Sequence, residues 1–150
     1  MGITGQETRE ELEANEVLRA KLESIRLQAG PLMNLGDVKE KSVPKMTMVS
    51  APSNGGAIST RTFIPHRCHA SIGVLGAVSV ATAAVLKGSP ANALATYDAA
   101  SRMTLDVEHP TGCMTVVLDQ DEQGDVSSAA LLRTARKLFD GKVFIHKNGL

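Results

Sequence analysis

Apolar residues recur at helical spacing in the first part of the chain. Leu18, Leu22 and Ile25 lie on one helical face, and glutamates are frequent in the early turns, where they suit the helix dipole. The pattern predicts one helix over residues 6–29. Gly30 and Pro31 follow it and are expected to end it.

Alternating residues predict strands farther along. Residues 46–50 and 57–64 alternate and flank the turn-forming SNGG sequence at 53–56, so we expect two paired strands. Residues 103–110 and 113–119 predict a second hairpin, and a short helix is expected between residues 88 and 103. The tail from 127 to 145 fits either a helix or two strands joined at Asp140 and Gly141.

The segment PHRCHASIGVLGAVSVATAAVLKG, residues 65–88, concentrates polar side chains at its start and then becomes apolar. The apolar part, 72–86, would span roughly 22 Å as a helix, against the ~30 Å hydrocarbon core of a membrane. Its many glycines and alanines favour a helix that other backbone approaches closely on every side. We therefore predict a central helix enclosed by sheet, and no membrane span.

Composition and charge exclude several classes of function. Lys plus Arg and Asp plus Glu both number 16, so the net charge is zero and a general nucleic-acid or membrane-surface binder is not expected. Three Phe, one Tyr and no Trp offer few platforms for base stacking. Cys68 and Cys113 are expected as free thiols in the cytoplasm, because the N-terminus does not resemble a signal peptide.

The polar cluster before the apolar segment allows three interpretations. His66, Cys68 and His69 are possible zinc ligands, but a structural zinc site needs four, and only His109 and Cys113 form a further pair. The histidines could instead serve only to hold a loop. In the third interpretation, the start of the helix binds an anion, because free N–H groups there carry partial positive charge.

The anion-binding hypothesis selects specific residues. Two arginines and two histidines near one helix start exceed what capping requires, which points to a small anionic molecule. Ser71 fits either ligand contact or an N-cap. Cys68 is a further catalytic candidate, if the helix end and Arg67 lower its pKa. The predicted binding residues are Arg61, His66, Arg67, His69, Ser71 and Ile72.

Four segments taken together resemble one family. They are VPKMTMVSAP, GGAISTRTFIPHRCHASIGVLGAVSVATAAVLKGS, EHPTG and RTARKLFDGKV, and the resemblance covers nearly the whole chain. The chain resembles the C-terminal half of PrpF-type isomerases, which include methylaconitate cis–trans isomerases and 4-oxalomesaconate tautomerases.

The resemblance implies an α/β (α+β) fold like diaminopimelate epimerase, in which a mixed, curved sheet wraps around a central helix, here at about residues 71–87. It also implies that substrate lies between the helix starts of two similar domains. Residues 61–71 would then supply one half of a site for a di- or tricarboxylate, with no metal or organic cofactor.

The resemblance further implies cofactor-independent proton transfer along an allylic system. The family's lysine base and accompanying cysteine belong to an N-terminal domain that has no counterpart here. We therefore expect residues 1–150 to be an incomplete C-terminal domain, inactive alone and prone to form homo-oligomers. The alternative is a non-catalytic module that binds small anions or a partner.

Overall fold

The computed structural model describes residues 2–144. Within them, three helices and five strands form a mixed α/β (α+β) arrangement. Their bounds in chain order are α1 (Arg9–Ala14), α2 (Glu16–Leu32), β1 (Met46–Ser50), β2 (Ile58–Phe63), α3 (Val74–Val85), β3 (Arg102–His109), β4 (Gly112–Gln120) and β5 (Val126–Leu131).

The strands form one mixed sheet in the order β1-β2-β3-β4-β5. β2 and β3 are parallel, with Ile58 opposite Val107, whereas the other neighbouring pairs are antiparallel. A parallel pair needs a crossover connection, and α3 lies in the segment between β2 and β3. Both predicted pairings, 46–50 with 57–64 and 103–110 with 113–119, are confirmed.

The two faces of β2 pack against different layers. Ile58 belongs to the core between the sheet and α3, whereas Phe63 packs with Leu12, Leu18 and other residues of α1 and α2. Because strand side chains alternate between faces, α3 covers one side of β2, and α1 and α2 cover the other. All six β2 residues are therefore buried.

The single N-terminal helix predicted over 6–29 is wrong in detail. The chain breaks at Asn15, whose side-chain oxygen caps α2 by accepting from the Leu18 N–H at 2.9 Å. α2 also continues through Gly30 and Pro31. A Cβ added to Gly30 would lie 2.5 Å from Val38 Cγ2, so this glycine admits a buried side chain rather than ending the helix.

The predicted central helix is present as α3, which starts and ends slightly inside the expected range of 72–86. It packs against β3, β4 and β5. The expectation that other backbone encloses α3 on every side is wrong within residues 2–144. Its other side lines an open groove, and Leu75 is 81% exposed.

The chain after α3 departs from two predictions. Residues 88–103 contain turns and no helix. In the tail, β5 forms because β4 offers an open edge, and Ala129 and Ala130 pair with Leu118 and Val117. The helix alternative is therefore wrong. The second strand does not form at 141–144, and residue 145 lies outside the described residues.

No helix among residues 2–144 is both long enough and apolar enough to cross a membrane.

Glu108, near the end of β3, is a buried carboxylate that organises the turn between β1 and β2. It is 3% exposed and accepts backbone N–H groups from Ser53, Asn54 and Gly56 at 2.7–2.9 Å. Burial acts to raise the pKa of Glu108, but these N–H groups outweigh it, and the pKa lies below its ordinary value.

We predict that Glu108→Gln lowers the free energy of unfolding by about 2 kcal/mol near neutral pH, because an amide cannot accept all these bonds. A depressed carboxyl pKa stabilises the fold above the unfolded-state pKa, and this stability is lost as pH falls through the folded-state pKa. The difference between wild type and variant should therefore shrink in acid. Urea unfolding at neutral and acidic pH measures it.

Glu122→Gln is the control, because Glu122 is exposed and its side chain forms no hydrogen bond within residues 2–144. An equal loss of stability for Glu108→Gln at both pH values would contradict a stabilising role for the ionised Glu108 carboxylate.

Candidate functional site

The start of α3 is open. Gly73 is the N-cap, and no side chain of the described residues caps the helix. Gly73, Val74 and Leu75 are all exposed, so the first N–H groups of the helix point to the surface. The alternative that Ser71 is the N-cap is wrong. The arrangement leaves the positive end of the helix dipole available to an anion.

The loop from β2 to α3 is held in place by backbone hydrogen bonds. His69 N–H donates to the Thr62 carbonyl at 2.7 Å, and Ile64 N–H donates to the Arg67 carbonyl at 3.0 Å. α1 clamps the same loop, because Arg9 donates to the Cys68 carbonyl and the Cys68 N–H donates to Glu13, at 3.0 and 2.9 Å.

Arg61 is not at the start of α3. Its Nε donates to the Glu7 carbonyl at 2.9 Å, and its Nη1 donates to the Thr60 carbonyl at the same distance. The side chain is on the face of β2 that α1 and α2 cover, and the residue is only 8% exposed. The guanidinium therefore ties the N-terminal segment to the sheet.

Neither the His66 nor the Arg67 side chain forms a hydrogen bond or ion pair with the start of α3. His66 Nδ1 is 3.7 Å from Glu23 Oε2, so the ring faces α2. The Arg67 side chain is exposed and forms neither a hydrogen bond nor an ion pair with any residue of 2–144. Glu23 also pairs with the buried Arg26 at 2.7 Å, so that His66 borders a structural ion pair.

Cys68 is buried among Leu12, Leu18 and Phe63. Burial raises the pKa of its thiol, although Arg61 and Arg9 act in the opposite direction. The expectation that the helix end and Arg67 lower this pKa is wrong, because the side chain points away from α3 into the layer below. A buried thiol with a raised pKa is a poor nucleophile.

The three possible zinc ligands diverge. His66 faces α2, Cys68 is buried beneath the loop, and His69 faces Ser71. Residues 2–144 contain no group of three or more His, Cys, Asp or Glu side chains placed to hold a metal ion.

His69 and Ser71 lie together before α3. The Ser71 N–H donates to His69 Nδ1 at 3.0 Å, and the Ser71 hydroxyl lies 3.2 Å from His109 Nε2. Ile72 is buried and anchors the turn into the helix. Of the predicted residues, the structure brings His69, Ser71 and Ile72 to the start of α3.

His109 lies at the end of β3, and the sequence indicated it only as a possible metal ligand. It is half-buried, and burial lowers the pKa of its ring. Arg133 and His69 lower it further, against the Cys113 carbonyl, which raises it. The ring is therefore held neutral near pH ~7. His109 lies in the EHPTG sequence, but its position beside Ser71 depends on the pairing of β2 with β3, which that sequence does not indicate.

Lys45 is a further residue that the sequence did not single out. A Cβ built on Gly73 would lie 4.0 Å from Lys45 Nζ, so the ammonium is beside the N-cap of α3. The antiparallel register explains this position. Met46 pairs with Phe63, which places the residue before β1 next to the loop that leaves β2.

A groove of about 780 Å³ begins at this helix end and runs between α3 and the sheet. Thr47 and Thr62 line its sheet side, and Ser79 and Val80 line its helix side. Its walls are mostly apolar, with Lys45 at the end near Gly73. The groove is large enough for a small carboxylic acid with its charged end on the helix N-terminus.

Known proteins resemble this chain over almost all of its length. The (4E)-oxalomesaconate Delta-isomerase of Novosphingobium sp. (strain KA1) is 62% identical over 97% of this chain, and the match covers 41% of that protein. The 4-oxalomesaconate tautomerase of Pseudomonas putida (strain KT2440) is 55% identical over 99% of this chain, again covering 41% of the relative.

A solved structure shows the same fold. The crystal structure of methylitaconate-delta-isomerase superposes with a TM-score of 0.79 at 22% identity, over 94% of this chain and 41% of that one. The chain thus spans about 41% of the length of these relatives. A family model described as PrpF protein matches residues 1–146, and the chain belongs to this family.

Proposed function

We propose that this chain forms the C-terminal, carboxylate-binding half of an isomerase that moves a proton along an allylic system without a metal or organic cofactor. The observation that carries the proposal is the uncapped, exposed start of α3 with Lys45 beside it. Relatives named oxalomesaconate isomerase and tautomerase support the reaction class. The substrate would be a di- or tricarboxylate, acted on in the reducing cytoplasm.

The proposed chemistry assigns this chain the task of holding negative charge. Removing a proton next to a conjugated carbonyl develops enolate-like charge, and helix N–H groups and an ammonium stabilise such charge. The N–H groups near Ile72 and in the first turn of α3, Lys45 Nζ and the Ser71 hydroxyl would bind carboxylate oxygens. Arg67 is an exposed cation whose contribution remains a prediction.

The proton-moving groups would come from a second domain. The chain spans about 41% of its relatives, and the groove beside α3 is open. Large apolar side chains are also exposed, including Leu75 at 81% and Leu138 at 82%. These surfaces fit an N-terminal domain with the base, and without it we expect self-association. The same exposure favours the second candidate, a module that binds anions or a partner without catalysing a reaction.

We predict that tricarboxylates raise the melting temperature of the chain, because a ligand that binds only the folded state stabilises it. Citrate, aconitate and oxalomesaconate should each act, whereas Lys45→Gln should weaken apparent binding about tenfold through loss of a charge-assisted bond. A thermal-shift titration measures both effects.

Lys21→Gln is the matched control, since Lys21 is an exposed lysine on α2. Arg67→Ala, assayed beside it, measures what the exposed arginine adds. The absence of any shift with all three acids, or equal binding by Lys45→Gln and wild type, would contradict the proposed site.

We predict that the purified chain does not isomerise oxalomesaconate or methylaconitate, because the proposed base lies outside it. Adding the complementary part of the Novosphingobium relative as a separate chain should generate activity. Absorbance of the conjugated keto acid follows the reaction with oxalomesaconate. Turnover by the 150-residue chain alone would overturn the proposed division of the active site.

The same mixture separates the two candidate functions. Activity on complementation supports the isomerase. Carboxylate binding without activity, despite a stable complex of the two chains, supports the non-catalytic module.

A further inference from the structure

Three polar residues from two segments of the chain meet at the loop before α3. Ser71 lies in the loop before the helix, His109 ends β3, and Thr111 lies in the turn between β3 and β4. Thr111 Oγ1 donates to the Ala70 carbonyl at 2.9 Å, which joins this turn to the loop. This hydrogen bond holds the turn next to His109 against the loop that contains Ser71.

The backbone N–H of Thr111 favours one tautomer of His109. The Thr111 backbone N–H donates to His109 Nδ1 at 3.3 Å. Thr111 Oγ1 also lies 3.4 Å from Nδ1, in a contact that fits either tautomer. We assign Nδ1 as the acceptor of the Thr111 N–H, which puts the proton of the neutral ring on Nε2. Nε2 lies 3.2 Å from Ser71 Oγ and therefore donates to it.

This tautomer leaves the hydroxyl proton of Ser71 available. Ser71 Oγ accepts from His109, and residues 2–144 supply no acceptor for the Ser71 O–H. The hydroxyl belongs to a residue two positions before Gly73, the N-cap of α3. An oriented hydroxyl next to a helix N-terminus complements a carboxylate oxygen.

We propose that His109 is a positioning residue that fixes the Ser71 hydroxyl as a hydrogen-bond donor to the bound carboxylate. This inference rests on the proposed function, because it concerns the same anion site. His109 acts through Ser71 and contacts no substrate itself. Charged and titratable groups that act on the ring are His69 from the loop and Arg133 from the segment after β5.

The proposal predicts coupled losses of binding. His109→Phe keeps a planar ring but donates nothing, and it should weaken citrate binding about tenfold, as Ser71→Ala does, through loss of one hydrogen bond. The double variant should bind no worse than either single variant, because both remove the same interaction. His109→Gln, whose amide can donate, should bind within about twofold of wild type.

Isothermal titration of the whole chain with citrate measures these constants. A purely structural role for His109 would give losses that add to those of Ser71→Ala and no rescue by glutamine. Additive losses, or unchanged binding by His109→Phe, would overturn the proposal.

Nitrogen NMR of the imidazole rings tests the same inference without a ligand. We expect Nδ1 of His109 unprotonated and Nε2 protonated near pH ~7, with the Nε2 resonance shifted by Ser71→Ala. A proton on Nδ1 would overturn the proposal. If wild type fails to bind citrate, the proposed function fails, and this spectrum still decides the tautomer on which the positioning role depends.

Discussion

The hydrogen bond from His69 N–H to the Thr62 carbonyl, 2.7 Å long, fixes the path of the chain between β2 and α3. The loop doubles back beside the end of β2, where Cys68 forms an antiparallel bridge with Phe63. These contacts place the start of α3 near the end of β2. Lys45 Nζ lies beside this helix start, and Ser71 is two residues before the N-cap.

The layers on the two faces of β2 have separate tasks. On one face, α1 and α2 bury Phe63 and Cys68 and hold the loop through Arg9 and Glu13. α3 lies on the other face of the sheet, and β3, β4 and β5 cover only one side of it. Both layers therefore lie away from the proposed anion site, and the uncovered side of α3 lines the open groove.

Local patterns in the sequence predicted most of the elements. The small-residue run predicted α3, and the turn at 53–56 predicted the pairing of β1 with β2, because both depend on residues close in the chain. The break at Asn15 was missed because a capping side chain competes with an otherwise continuous helical period. The tail was ambiguous until β4 supplied a partner strand.

The site was predicted only in part, because side-chain direction depends on long-range packing. The sequence placed Arg61 and His69 in one cluster, but Arg61 points to the N-terminal segment and His69 to Ser71. Lys45 and His109 reach the site through strand register, which no local motif encodes. The pKa of Cys68 likewise depends on burial beneath the loop, which lies next to α1.

The central claim is that this chain alone presents a carboxylate site at the start of α3. Amide chemical shifts of the chain, followed by NMR during a citrate titration, test it most directly. The account predicts the largest saturable shifts at Val74, Leu75 and Gly76, whose N–H groups open the helix. Saturable shifts centred elsewhere, or none, would contradict it.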